Sequence, residues 1–264
     1  MKMFYPMHWN FIFGCAILNS YKYLSEVYDP LMDDAENEKW IEYISDLLKS
    51  MQIMPPSRIL ETACGTGRIT LPLVQSGYDV IALDLSKEML NIAQEKLQNA
   101  GVSTHFIVGD MIQFILPKPV NAIICVCDGV NYLMSDTDVC KYFNSCRCNL
   151  EIGGVLLFDI SSYNKLTKTL GNNLFYDDRE NVTCLWQNRL LGDLLQMELT
   201  LFIREGNNYH RKDEEQFQRA YRIKKIKQML QEAGFGQIES FNYFTKNEAT
   251  EESERIQFIA VKER

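Results

Sequence analysis

The residues best suited to chemistry lie in Ile59-Leu60-Glu61-Thr62-Ala63-Cys64-Gly65-Thr66-Gly67-Arg68, an apolar run that enters a turn of small residues and leaves as a helix. Glycine reaches backbone conformations that other residues adopt only at a penalty, and it puts no side chain between backbone and ligand. The start of the following helix offers unpaired N–H groups to a carboxylate or phosphate. Two more acids follow at corresponding places: Asp84 closes the next apolar run and Asp110 follows the one after it. Glu61, Asp84 and Asp110 therefore fall at the C-terminal ends of successive strands, the edge where open α/β sheets bind ligands. Asp84 is placed to accept both hydroxyls of a ribose, and Asp110 to accept from the exocyclic amine of a base.

These positions need a particular scaffold. From residue 57 short apolar runs alternate with amphipathic stretches, the pattern of βα units in a parallel sheet. Residues 58–60 lead a first strand and 68–75 a helix. Residues 78–83 form the second strand, and Ser86 caps a helix that Gly101 stops. Residues 104–108 are the third strand, and 120–126, nearly all apolar, a central fourth. Residues 136–150 are helical, and the Gly153-Gly154 turn opens a fifth strand over 155–160. Beyond it, 182–190 and 194–203 alternate and meet at Gly192-Asp193, a hairpin signal. A helix over 223–233 and strands near 237–244 and 256–261 close the pattern. The expected fold is α/β, a Rossmann-like three-layer sandwich: a seven-stranded, mostly parallel sheet with its last strand antiparallel, and an antiparallel β insertion after strand five. Residues 1–50 are expected as an N-terminal helical cover whose first 20 residues lie on the domain as a helix or arm. Residues 51–160 and 222–264 are the core, and 161–221 the insertion that roofs the substrate pocket.

Composition narrows the partners. In 264 residues, 46% hydrophobic and 23% charged is a globular balance, unlike that of a disordered tail or a coiled-coil rod. Lys+Arg 27 against Asp+Glu 35, a net charge of -8, opposes counterion-driven binding to nucleic acid. The eight cysteines sit in apolar or helical patterns and read as free thiols of a reducing, cytoplasmic protein. Cys125/Cys127 and Cys146/Cys148 are each separated by one residue, which is not zinc-ligand spacing, and His8, His105 and His210 add no second cluster, so no metal is expected. The apolar run 11–18 is too short to span a bilayer and lacks a cleavage pattern, so no membrane partner is expected.

The motifs resemble those of class I S-adenosylmethionine-dependent methyltransferases, in the bacterial small-molecule branch. In that family the first strand ends in acid-x-Gly-x-Gly-x-Gly; Glu61, Ala63, Gly65 and Gly67 match it, with Ala63 replacing the first glycine. Such an alanine is tolerated if it keeps a negative φ. The likeness continues through Ile81-Ala82-Leu83-Asp84-Leu85-Ser86, Gly109-Asp110-Met111 and Cys127-Asp128-Gly129-Val130-Asn131-Tyr132, and covers residues 24–160 well and the rest by layout. It implies that Asp84 takes the ribose, that Asp110 and Met111 surround adenine, and that the Ala63 to Gly67 turn faces the methionyl portion of S-adenosylmethionine. Cys64, Leu85, Met89 and Cys127 join the cofactor-binding set on the same likeness. Upstream, Val27-Tyr28-Asp29-Pro30-Leu31-Met32 and Trp40 look like the cover of a branch that includes glycine and deoxysugar N-methyltransferases. Tyr28 and Trp40 are expected over the cofactor, where aromatic faces stabilise a sulfonium cation.

The expected activity is direct in-line transfer of a methyl group to a nitrogen or oxygen of a small molecule, by a monomer or homodimer. Asp128, Tyr132 and His210 are candidate bases by their places on the turn after strand four or on the insertion. Tyr163, Phe175, Tyr176 and Trp186 make the insertion aromatic, which suits a partly apolar acceptor. Neither an Asn/Asp-Pro-Pro-Tyr turn after strand four nor a Pro-Cys pair is present, unlike base-amino and cytosine-C5 methylases. Two other readings stay open. A nicotinamide-dependent oxidoreductase also wants a glycine turn and an acid after strand two, although Thr70 stands where its third glycine should be. A methyltransferase-like binding protein without activity would keep the same motifs.

Overall fold

The computed structural model describes residues 21–32 and 36–264, leaving aside the side chains of Glu36 and Asn37. The arm expected over residues 1–20 lies outside the described residues. The chain runs α1 (Leu24–Leu31), α2 (Glu36–Ser50), β1 (Arg58–Thr62), α3 (Thr70–Gln75), β2 (Asp79–Asp84), α4 (Lys87–Asn99), β3 (His105–Val108) and β4 (Val120–Cys125). After a 3-10 turn, Gly129–Tyr132, come α5 (Asp136–Asn149), β5 (Leu150–Ser161), a wide helical segment at Lys165–Leu170, and four strands. These are β6 (Leu174–Asp178), β7 (Val182–Leu191), β8 (Leu194–Glu205) and β9 (Asn208–Arg219). The chain closes with α6 (Ile223–Glu232), β10 (Phe235–Asn242) and β11 (Arg255–Lys262).

The core sheet has seven strands in the order β10-β11-β5-β4-β1-β2-β3. β1 pairs in parallel with β2 and β4, whereas β11 runs antiparallel to both β5 and β10. Alternation along the strands sends successive side chains to opposite faces. Ile59, Val80 and Ile124 face α2 and α3 through Ile44, Leu48 and Leu73. Leu60, Leu83 and Ile123 face α5 and α6 through Tyr142, Phe143 and Leu230. Two buried layers of helix thus enclose strands that are apolar on both faces, the arrangement a parallel sheet requires.

The remaining strands form a separate antiparallel sheet, β6-β7-β8-β9, whose Gly192 and Gly206 take φ of +68° and +62° in the β7–β8 and β8–β9 hairpin turns. Val182, Cys184, Leu199 and Leu201 pack against Leu24, Val27 and Leu31, so α1 docks on this insertion sheet. One local expectation changes. β5 begins at Leu150, and Gly153, at φ +81°, makes a bulge within the strand where a turn before it was expected. The polar run holding His210 is strand β9, exposed over its first half; pairing with β8 holds it extended without an apolar alternation of its own.

Candidate active site

The C-terminal ends of β1, β2 and β4 meet a cavity of about 360 Å³, a size suited to one small ligand. The β1–α3 turn forms its floor. Cys64 N donates to Leu83 O at 3.1 Å and Gly67 N to Cys64 O at 3.0 Å, which fixes the turn against β2. Gly65 has φ +55°, and a Cβ built on it meets nothing within 4 Å. A side chain there would stand in open space at the cavity wall. Gly67, at φ +74°, does not line the cavity; its added Cβ would come within 3.1 Å of Ala93 Cβ, so this glycine lets α4 close on the turn. Ala63 departs from the negative φ expected of it. It sits at +52°, with its methyl opposite Gly129, whose own added Cβ would lie 3.0 Å away. The absence of a side chain at residue 129 makes room for the methyl at residue 63.

Three carboxylates line this floor. Glu61 is buried and accepts from Thr70 Oγ1 at 2.5 Å. Burial pushes its carboxyl up to about 8, with the Thr70 bond working against the rise and Asp84 adding to it. Thr70, at the position of a dinucleotide fold's third glycine, therefore serves the motif acid. Asp84 Oδ2 accepts Gly65 N and Oδ1 accepts Ser86 N, both at 2.8 Å. Burial raises its carboxyl above the ordinary range, and these backbone bonds oppose the rise. Asp110 Oδ1 accepts Ile112 N at 3.0 Å and borders the same cavity. Leu85, Met89 and Met111 add apolar lining to the same cavity. Leu85 stays 41% exposed, apolar surface that a flat ligand would cover.

The same cavity has an aromatic lining as well. Tyr28 on α1 and Tyr132 on the turn after β4 both line the cavity, joined by Tyr21 and by Phe217 from β9. Tyr21 OH donates to Tyr132 OH at 2.6 Å, and Tyr132 OH donates to Gln216 Oε1 at 2.9 Å. Burial drives the phenols of Tyr21, Tyr28 and Tyr132 upward, so they serve as hydrogen-bonding groups at neutral pH. Cys64 and Cys127 also line the cavity. The Cys127 thiol, surrounded by protein yet open to the cavity, is pushed up to about 12 by burial, with Asp159 adding to the rise. It stays a thiol at neutral pH, and burial raises Cys64 as well.

Three proposed site residues lie elsewhere. Trp40 is buried beneath the sheet, its ring 5.3 Å from that of Tyr243 and 5.2 Å from that of Phe244. It is core, because the amphipathic period of α2 turns it inward. Asp128 does not face the cavity: Ser161 Oγ donates to its Oδ2 at 2.7 Å, and Arg255 Nη2 lies 3.5 Å from the same oxygen. His210 is exposed on β9, 3.2 Å from Glu205. Phe217 is seven positions further along the strand, roughly 20 Å at the usual rise. Sequence reasoning in turn missed Tyr21, Arg68 and Phe217 as lining residues. Arg68 adjoins the glycine turn, and Phe217 ends a polar strand, a weak but readable signal.

A methyltransferase-domain family model matches residues 59–154. Putative methyltransferase YqeM of Bacillus subtilis (strain 168) is 33% identical over 245 residues, spanning 92% of this chain and 97% of that protein. A solved S-adenosylmethionine-dependent methyltransferase from Clostridium acetobutylicum ATCC 824 is 31% identical, with a TM-score of 0.84 over 92% of this chain and 99% of the other. The chain belongs to the S-adenosylmethionine-dependent methyltransferases. The sugar N-methyltransferase KedS8 from Streptoalloteichus sp ATCC 53650 shares the fold at 20% identity, with a TM-score of 0.75 over 90% of this chain and 92% of that one. The nicotinamide alternative is thereby set aside. S-adenosylmethionine is the cofactor, and this methyltransferase's cavity fits it: Asp84 offers carboxylate oxygens, Gly65 leaves room beside the backbone, and Leu85, Met89 and Met111 form an apolar slot. Among the described residues no helix is long and apolar enough to cross a membrane.

Proposed function

We propose that this methyltransferase methylates a nitrogen or oxygen nucleophile of a small molecule by direct in-line displacement. The observation that carries the reading is one cavity lined both by Glu61, Asp84 and Asp110 from the sheet edge and by Tyr21, Tyr28 and Tyr132. S-adenosylmethionine, when bound, supplies an electrophilic methyl on a sulfonium. Asp84 would hold the ribose, Asp110 and Met111 the adenine end, and the Ala63 to Gly67 turn with Glu61 the methionyl end. Tyr21, Tyr28 and Tyr132 present phenol oxygens and ring faces to a cation.

Orientation does most of the catalytic work in such a transfer and supplies about 7 kcal/mol or more. Among the described residues, no carboxylate or imidazole free of other partners faces the tyrosine wall. Asp128 is engaged with Ser161 and Arg255, and Cys127 keeps its proton. An amine attacks without a strong base and releases its proton to solvent afterwards, so the lining favours an amine over a hydroxyl, in accord with the sugar N-methyltransferase likeness. We assign the described part of residues 1–50 to the cover, 51–160 and 222–264 to the core, and 161–221 to the insertion that roofs the acceptor. The described cysteines are free thiols, which supports a cytoplasmic protein.

Calorimetry with S-adenosylhomocysteine tests the cofactor site: a micromolar Kd, about 8 kcal/mol, is expected. Asp84→Ala should weaken it by about 1–3 kcal/mol through lost charged hydrogen bonds, and unchanged affinity removes the ribose role. Turnover on a panel of amines and alcohols tests the acceptor class, and methylation confined to alcohols would overturn the preference for nitrogen.

A further inference from the structure

The start of α1 is held by a side chain from the insertion sheet. Glu214 on β9 is 9% exposed. Its Oε1 accepts Tyr21 N at 2.6 Å, and its Oε2 accepts Tyr23 N at 2.9 Å and Leu24 N at 3.1 Å. Gln216 Nε2 donates to Oε1 at 2.9 Å. Two carboxyl oxygens thus meet four N–H donors, three of them backbone groups at a helix start that lacks intrahelical partners. A carboxyl group is favoured there by the helix dipole.

The same strand closes a circuit through the cavity wall. Tyr21 OH bonds Tyr132 OH, Tyr132 OH bonds Gln216, Gln216 bonds Glu214, and Glu214 bonds the Tyr21 backbone. The other end of α1 is pinned to the cofactor turn instead. Thr66 Oγ1 donates to Asp29 at 2.6 Å, and Lys96 Nζ lies 2.6 Å from the same carboxylate.

We infer that Glu214 is a positioning residue for methyl transfer, fixing the Tyr21 end of the cover over the cavity from the insertion sheet. It touches no reacting atom in this role. Its action passes through Tyr21 and, along the circuit, Tyr132. The inference rests on the methyl-transfer reading, and the test separates the two.

Glu214→Gln keeps the shape but turns one acceptor into a donor facing N–H groups. In the ligand-free variant, the amides of Tyr21, Tyr23 and Leu24 should exchange with deuterium about tenfold faster or more, while protection in β1, β4 and β5 is kept. Its Kd for S-adenosylhomocysteine should rise on the order of tenfold, a 1.4 kcal/mol change. Gln216→Leu breaks the circuit but leaves the carboxyl on the three amides, so it should lower kcat with little change in amide exchange. Unchanged exchange at the three amides in Glu214→Gln overturns the inference, as does faster exchange with unaltered affinity. A uniform rise across the core sheet would show a purely structural role and overturn it too. If the wild-type protein binds no S-adenosylhomocysteine, the cofactor reading fails, while the exchange measurement still decides whether Glu214 holds the cover.

Discussion

Glu61 shows how one buried group sets a pH dependence. Its carboxyl is raised from 4.5 to about 8, chiefly by burial. Between those values the folded protein binds more protons than the unfolded chain, so stability falls as pH rises. Glu61 therefore contributes its full share below about pH 4.5 and loses it progressively up to about pH 8. Thermal midpoints of the ligand-free protein at pH 5.5 and 8 should show this decline, and Glu61→Gln should flatten it. A decline of the same size in the variant would assign it to other groups. Gly129 gives a second residue-scale prediction. A methyl added there would come 2.7 Å from Cys125 Sγ and 3.0 Å from Ala63 Cβ, so Gly129→Ala should destabilise by about 1–3 kcal/mol through overpacking. Adding Ala63→Gly should recover part of that loss in denaturant melts, because one of the two clashing atoms is gone; full additivity would mean the two residues do not share the space. At this scale the acids were legible, since residue type and spacing place them at strand ends. The left-handed backbone of Ala63 was not, because an alanine in a sequence carries no sign of its φ. Nor was Tyr21 legible: its backbone partner Glu214 is 193 residues away.

Elements decide which side chains reach the cavity. The turn after β4 holds two consecutive non-glycine residues in left-handed conformation, Cys127 at φ +60° and Asp128 at +55°. Such strain persists where surroundings over-determine it. Here Asp128 N donates to Asp159 Oδ2 at 3.1 Å, Ser161 holds the Asp128 carboxylate, and Arg255 from β11 pairs with both aspartates. Asp159 is fully buried, and burial raises its carboxyl while Arg255 draws it back down. Arg255→Met should destabilise by about 3–5 kcal/mol, since it leaves the fully buried Asp159 and the partly buried Asp128 without their shared cation. Adding Asp159→Asn should restore part of that in a double-mutant cycle. A single-variant loss under about 1 kcal/mol would mean the network does not hold the turn. Sequence placed Asp128 on this turn, but its engagement depends on β5 and β11, which join it only in three dimensions. The period of α2 likewise marked Trp40 as turned to one face without saying whether that face met cofactor or core.

The whole molecule is a core sheet that was largely readable and an insertion that was only partly so. Strands β1, β2, β4 and β5 are apolar on both faces and stand out from the sequence, whereas β6 and β9 take their extended form from pairing with β7 and β8. His210 lies on such a paired polar edge strand, and its place on the insertion did not tell how far from the cavity that strand carries it. The cavity draws on both sheets and the cover, so a ligand that fills it should stabilise the folded chain as a unit. At a concentration of 100 times its Kd, S-adenosylhomocysteine adds about 2.7 kcal/mol. For a chain of this size each kcal/mol moves the midpoint by about 2–4 °C, so thermal unfolding should shift upward by about 5–10 °C. NADH at the same concentration should leave the midpoint in place. A shift with NADH alone would mean that the Asp84 edge recognises a dinucleotide, and the cofactor assignment drawn from Glu61, Asp84 and Asp110 would fall with it.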